Sequence, residues 1–115
     1  MQIKNVKISS ASLGFEGHGI LTSTIIVDYG DSSGQGFGGF CLKGEAMYDW
    51  VSMVLKVLEI SDWKDVNGCY CRVKLNEQDM IEEIGNITKE IWFNPKKFFN
   101  SKRMNNIMNC LKDRI

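Results

Sequence analysis

The hydrophobic period changes twice along this chain, and those changes restrict the folds open to it. From Ile20 to Tyr29 the residues are β-branched at Ile20, Thr22, Thr24, Ile25, Ile26 and Val27, the composition of a strand. From Glu45 to Glu59 the apolar residues Met47, Trp50, Val51, Val54, Leu55 and Leu58 recur every three or four positions, which predicts an amphipathic helix with a wide apolar face. From Cys69 to Leu75 strict alternation returns, with Cys69, Cys71, Val73 and Leu75 on one face and Tyr70, Arg72 and Lys74 on the other. A chain that passes from strand to helix and back to strand, with turn residues at each change, must lay its helix against a sheet.

The remaining segments fill in the order. Ile3, Val6, Ile8 and Leu13 suggest a first strand of imperfect alternation, joined through Phe15-Glu16-Gly17-His18-Gly19 to the second as a hairpin. Gly30-Asp31-Ser32-Ser33-Gly34 has loop chemistry, favouring positive φ and side-chain to backbone hydrogen bonds. Gly36-Phe37-Gly38-Gly39-Phe40-Cys41-Leu42 is then a glycine-loaded third strand, where glycine marks a bulge or a close backbone approach. A short helical turn closes at Asn67-Gly68, Asn76 to Asp79 form a hairpin turn, and Met80 to Ile87 make a fifth strand. A basic C-terminal helix is expected from about residue 95 to residue 115, with Met104, Ile107, Met108, Leu111 and Ile115 at helical spacing. The expectation is a single α+β domain over residues 1–115, order βββαββα, with a largely antiparallel five-stranded sheet packed against two helices.

A chain of 115 residues, 43% hydrophobic and 24% charged, has enough apolar surface for one core and too little length for a second module. The start has no secretory apolar stretch, and no apolar run approaches the roughly 18 residues of a membrane span, so a cytoplasmic protein is expected. Cys41, Cys69, Cys71 and Cys110 then read as reduced thiols. A formal net charge of zero argues against a chain built wholly to coat nucleic acid, and equally against an acidic DNA mimic. The charge is polarised, however. From Lys89 onward seven bases face two acids, leaving +5 on this tail and −5 on residues 1–88.

Three constellations carry candidate chemistry. Gly34-Gln35-Gly36-Phe37-Gly38-Gly39 has the spacing of a pyrophosphate-binding loop, but it leads into a strand where a dinucleotide fingerprint requires a helix, so the bulged-strand reading is favoured. Glu16 and His18 sit two apart in a turn, where a carboxylate can orient an imidazole; without a nucleophile or second carboxylate nearby, a backbone-capping role is favoured over acid–base catalysis. Lys96, Lys97, Lys102 and Arg103 lie among Trp92, Phe93, Phe98 and Phe99, interleaving cations with aromatic surface that could stack a base while charge meets phosphate. The plainer reading is a helix with one apolar face in the core and one basic face in water. Self-association, basic tail against acidic body, is a third, giving a homodimer. No metal ligand set, cofactor or enzymatic activity is expected; Cys69 and Cys71 share a strand face but have no matching ligand pair.

Leu13-Gly14-Phe15-Glu16-Gly17-His18-Gly19-Ile20-Leu21-Thr22, then Gly34 to Phe40, then Trp92-Phe93-Asn94-Pro95 resemble a family of small phage and prophage proteins. Its members look like L-G-[FY]-E-D-H-G-I-x-T, G-Q-G-F-G-G-[YF] and W-F-D-P. The likeness runs up to Pro95, with Gly17 in place of an acid and Asn94 in place of Asp. It implies a non-enzymatic binding protein of the anti-defence type, similar to anti-CRISPR proteins, whose partner is a host nuclease complex or other defence protein. Two further functions are open under the same resemblance: a sponge that sequesters a cyclic nucleotide signal, and an accessory protein of recombination or replication that binds single-stranded DNA. The residues expected to contact a partner or ligand are Gln35, Phe37, Trp92, Lys96, Lys97, Phe98, Lys102 and Arg103, with Glu16 and His18 as a candidate turn site.

Overall fold

A computed structural model describes residues 2–42 and 44–101. It has an antiparallel sheet of strands β1 (Gln2–Phe15), β2 (Leu21–Asp28), β3 (Gly34–Cys41), β4 (Tyr70–Leu75), β5 (Ile81–Gly85) and β6 (Trp92–Phe93). The helix α1 (Glu45–Leu58) follows β3, a 3-10 turn spans Trp63–Asp65, and a second helix, α2, begins at residues 95–101. The architecture is α+β as expected, with six strands where five were expected. The extra strand is β6, too short to show any periodicity and defined only by its pairing of Trp92 with Gly85 and Phe93 with Ile84. Among the described residues no helix is long and apolar enough to cross a membrane. The basic helix expected to run to residue 115 is helical over 95–101; Lys102, Arg103 and the rest of that segment lie outside the described residues.

The sheet order is β3-β2-β1-β4-β5-β6, so the longest strand, β1, lies inside it. Its imperfect alternation has a physical cause. Val6 and Ile8 face the core in one parity and Ala11 and Leu13 in the other, because the register slips between Ile8 and Ser10. That bulge at Ser9 lies within the pairing with β2, which runs from Lys7 to Phe15, just past the pairing with β4, which runs from Gln2 to Lys7.

The inner face of the sheet wraps α1. Trp50, Val54 and Val57 of the helix are fully buried, against Val6, Ile8, Ile25, Val27, Cys71, Val73 and Ile84 from the strands. The centre of the apolar face thus includes Val57, which the three-four spacing did not single out. Trp50 shows how far the sheet curls: its ring lies 5.6 Å from Phe37 on β3 and 5.8 Å from Phe93 on β6, the strands at opposite ends of the sheet order. Phe93 in turn meets Phe98 at 5.7 Å, and Phe98 meets Phe99 at 5.5 Å. One chain of edge-on and tilted aromatic contacts therefore joins β3, α1, β6 and α2.

Candidate functional site

The curl brings the free side of β3 toward β5, and a single side chain spans the gap. Gln35 accepts a hydrogen bond at Oε1 from the Ile81 N–H at 2.7 Å. Its Nε2 donates to the Asp79 carbonyl at 2.9 Å and to the Tyr29 hydroxyl at 3.1 Å. Both amide hydrogens are engaged, so Gln35 ties the end strand β3 to the start of β5. Beside it opens a cleft of about 760 Å³. Gln35, Gly36, Phe37 and Gly38 form one wall, and Met80, Ile81 and Glu82 face them from β5 and the turn before it. Asn94, Pro95, Lys96, Lys97 and Asn100 close the cleft from the start of α2, and Asn76 completes it.

The start of α2 is built by its sequence. Asn94 occupies the cap position, where its Oδ1 accepts the Lys97 N–H at 3.0 Å and its carbonyl accepts the Phe98 N–H at 3.0 Å. Pro95 follows at the first helical position, where its missing N–H costs nothing. Phe93 and Pro95 are buried, so Lys96 and Lys97 are turned outward at the cleft mouth. Aspartate and asparagine cap a helix about equally well, which makes Asn94 in place of Asp a neutral departure for this role.

Of the eight residues expected to contact a partner, four meet at the cleft: Gln35, Phe37, Lys96 and Lys97. Their parts differ. Phe37 is only 6% exposed and belongs mainly to the core, while the lysines are exposed. Phe98 packs against Phe93 and the core. Trp92 lies on the opposite face of the sheet, and Lys102 and Arg103 fall outside the described residues. The cleft also contains Asn76, Met80, Ile81, Glu82 and Asn100, which the sequence does not mark. Met80, exposed to 54% at a strand end, is the nearest thing to a signal among them.

Trp92 has a structural setting of its own. Its ring covers Gly85, the residue paired with it, and a Cβ at Gly85 would stand 2.4 Å from the ring. The indole lies between the Arg72 guanidinium, 4.7 Å from its centroid, and the Lys74 ammonium at 4.1 Å. Arg72 also donates to the carbonyls of Asn86 and Lys89, each at 2.8 Å, and to Glu90 at 2.9 Å. The Trp92 N–H donates to the other Glu90 oxygen at 2.9 Å, and this bond, with that from Arg72, holds the Glu90 carboxyl below its ordinary range. Gly85→Ala is expected to cost about 1–3 kcal/mol through overpacking. In a Trp92→Ala background the same change should cost little, and urea denaturation of the four proteins in that cycle measures the difference.

Glu16 and His18 form an exposed hairpin turn. The Glu16 carboxylate accepts the backbone N–H groups of His18 at 2.7 Å and Ile20 at 3.3 Å, and lies 2.9 Å from His18 Nδ1. Gly19 takes φ of 77°. The contact with the His18 ring holds the Glu16 carboxyl below its usual value, against an opposing effect of desolvation and with help from the two backbone donors. A depressed folded value means that the ordering is present above the ordinary carboxyl value of 4.5 and is lost as pH falls through the folded one. Exchange of the His18 and Ile20 amides should therefore accelerate on acidification below 4.5, beyond the intrinsic trend for amides, and Glu16→Gln should remove that excess.

The thiols of Cys69 and Cys71 lie among the described residues. Burial, then the neighbouring Cys69, pushes the Cys71 thiol up to about 12, and Cys69 is raised by burial and by Asp65. Both are unpaired cysteines. Among the described residues no three His, Cys, Asp or Glu side chains cluster in a way that would hold a metal ion. Comparison with known proteins found no matching family model, no matching curated protein and no matching solved structure.

Proposed function

We propose that this chain is a non-catalytic binding protein and that the cleft between β3 and α2 is where it engages its partner. The observation that carries the reading is the meeting there of Gln35 and Phe37 with Lys96 and Lys97, residues some sixty positions apart in the chain. Two ammonium groups stand at the mouth of an apolar-floored cleft whose lining, among the described residues, contains a single carboxylate, Glu82. The only histidine is held in an exposed turn and the Cys71 thiol is kept protonated, which favours binding over catalysis. Together with the resemblance to phage proteins, this supports an anti-defence inhibitor of the anti-CRISPR kind, acting by contact with a host defence protein.

The sponge reading draws support from one feature, the cleft volume of about 760 Å³, which suits a nucleotide-sized ligand. Binding of single-stranded DNA has less behind it, because Phe98 packs inward and Trp92 faces away from the lysines. Lys96→Glu/Lys97→Glu is expected to weaken partner binding at least about tenfold while moving the melting temperature by less than about 4 °C. The check is capture of partners from host lysate on the tagged chain and on this variant, with mass spectrometry of bound proteins and of small molecules released by heat. Recovery of the same partners by the variant at undiminished affinity would sink the cleft reading, and release of a nucleotide without any protein would transfer it to the sponge.

A further inference from the structure

We infer that the cleft is the slot of a missing strand, and that its occupant is an extended acidic segment of the partner protein, added to the free side of β3. This rests on the cleft being the binding site and names what enters it. Among the described residues β3 is the terminal strand of the sheet, bonded to β2 on one side only. Such an edge normally carries lysine, proline or a covering element to block further pairing. Here the cleft-lining stretch is Gln35-Gly36-Phe37-Gly38, with neither lysine nor proline, and the two glycines leave its backbone unscreened by side chains. The extra residue Gly39, where the register slips opposite Ser23 and Thr24, ends the regular edge just beyond the cleft.

The opposite wall also has an unfilled ladder. β6 pairs with Ile84 and Gly85, so among the described residues the beginning of β5 has no strand on that side. There Gln35 accepts from the Ile81 N–H and donates to the Asp79 carbonyl, the peptide groups on either side of Met80. A residue of a parallel neighbouring strand would make that same pair of bonds. The Gln35 amide thus stands in for one peptide unit at the end of the slot, and among the described residues none fills the remaining length toward Gly38. An entering segment would place alternate side chains on the apolar surface of Phe37, Met80, Ile81 and Pro95, and its carboxylates toward Lys96 and Lys97. Charge complementarity selects an acidic occupant, since two lysines face one glutamate.

The test uses the full chain and an array of heptapeptides alternating acidic and apolar residues in all combinations. The tightest peptide is then made with N-methyl groups on odd residues or on even residues, and each form is titrated into 15N-labelled protein. Strand addition predicts shifts and slowed exchange at the Gly36 to Gly38 amides. It also predicts that N-methylation of the alternate residues whose N–H groups face β3 weakens binding about tenfold or more. Undiminished affinity of both methylated forms would overturn strand addition, as would a failure of every peptide on the array to bind. Inorganic pyrophosphate or ATP binding at Lys96 and Lys97 without any peptide binding would overturn the peptide while retaining the cleft. Peptide-induced shifts confined to another surface would overturn the cleft itself.

Discussion

Replacing Trp50 with alanine is expected to lower stability by about 3–5 kcal/mol, the range for deleting a large buried aromatic. That is a large part of the ~5–15 kcal/mol that usually separates a folded domain from its unfolded chain. The indole is fully buried at the middle of α1 and is the group that both outer strands touch, through Phe37 on β3 and Phe93 on β6. Truncation leaves a void between them that no adjacent side chain can fill without letting the sheet uncurl. The cost should be paired with a particular pattern of exchange: amides of β3 and of residues 92–98 should lose protection more than those of β1 and β4, whose core contacts run through Val6, Cys71 and Val73. Trp50→Phe should recover part of the loss. Urea denaturation and hydrogen exchange together provide the check, and a loss below about 1 kcal/mol would mean that the indole does not hold the curl.

What the sequence makes legible here is local, and what it hides depends on the curl. The helix expected over 45–59 appears as Glu45–Leu58 with Glu59 as its cap, the alternation expected from Cys69 to Leu75 appears as a strand from Tyr70, and the turn at Asn76 appears where its chemistry places it. The loop at residues 30–34 shows both expected devices, positive φ at Gly30 and Ser32 and an aspartate, Asp28, accepting the Gly30 N–H at 2.7 Å. β6 was not legible, because two residues have no period and Trp92 is held by Gly85 and Arg72, both distant in the chain. The site was half legible for a similar reason. Charge pointed to Lys96 and Lys97, but aromatic residues beside them in sequence pointed elsewhere in space: Phe98 inward, Trp92 to the far face. The three motifs behind the family resemblance act on the fold as well. Glu16 organises a turn, Gln35 joins the end strand β3 to the start of β5, and Asn94-Pro95 starts a helix, so their presence bears on architecture before it bears on activity.

The glycine-rich stretch allows the sharpest separation of architecture from binding, because two of its glycines make opposite demands. Gly38→Ala is expected to cost about 3 kcal/mol or more, combining a left-handed backbone position with overpacking. Its φ is 118°, and a Cβ there would stand 2.5 Å from the Ser23 carbonyl oxygen and 3.2 Å from the Trp50 ring. The first contact is with backbone, so no side-chain rotation relieves it, and Trp50→Ala in the same chain should rescue little. Gly36→Ala should behave differently. A Cβ at Gly36 meets only side-chain carbons of Ile26 and Thr24, at 3.5 and 3.7 Å, which is ordinary contact, and its φ is not positive. Stability should change by less than about 1 kcal/mol, with the reduced freedom of the unfolded chain working in its favour. Because Gly36 also lines the cleft, any loss of partner binding in that variant reports on the site with the fold intact. A phosphate-cradling loop would show the reverse at Gly38, a variant that folds normally and fails to bind; urea denaturation of the two alanine variants side by side decides between these.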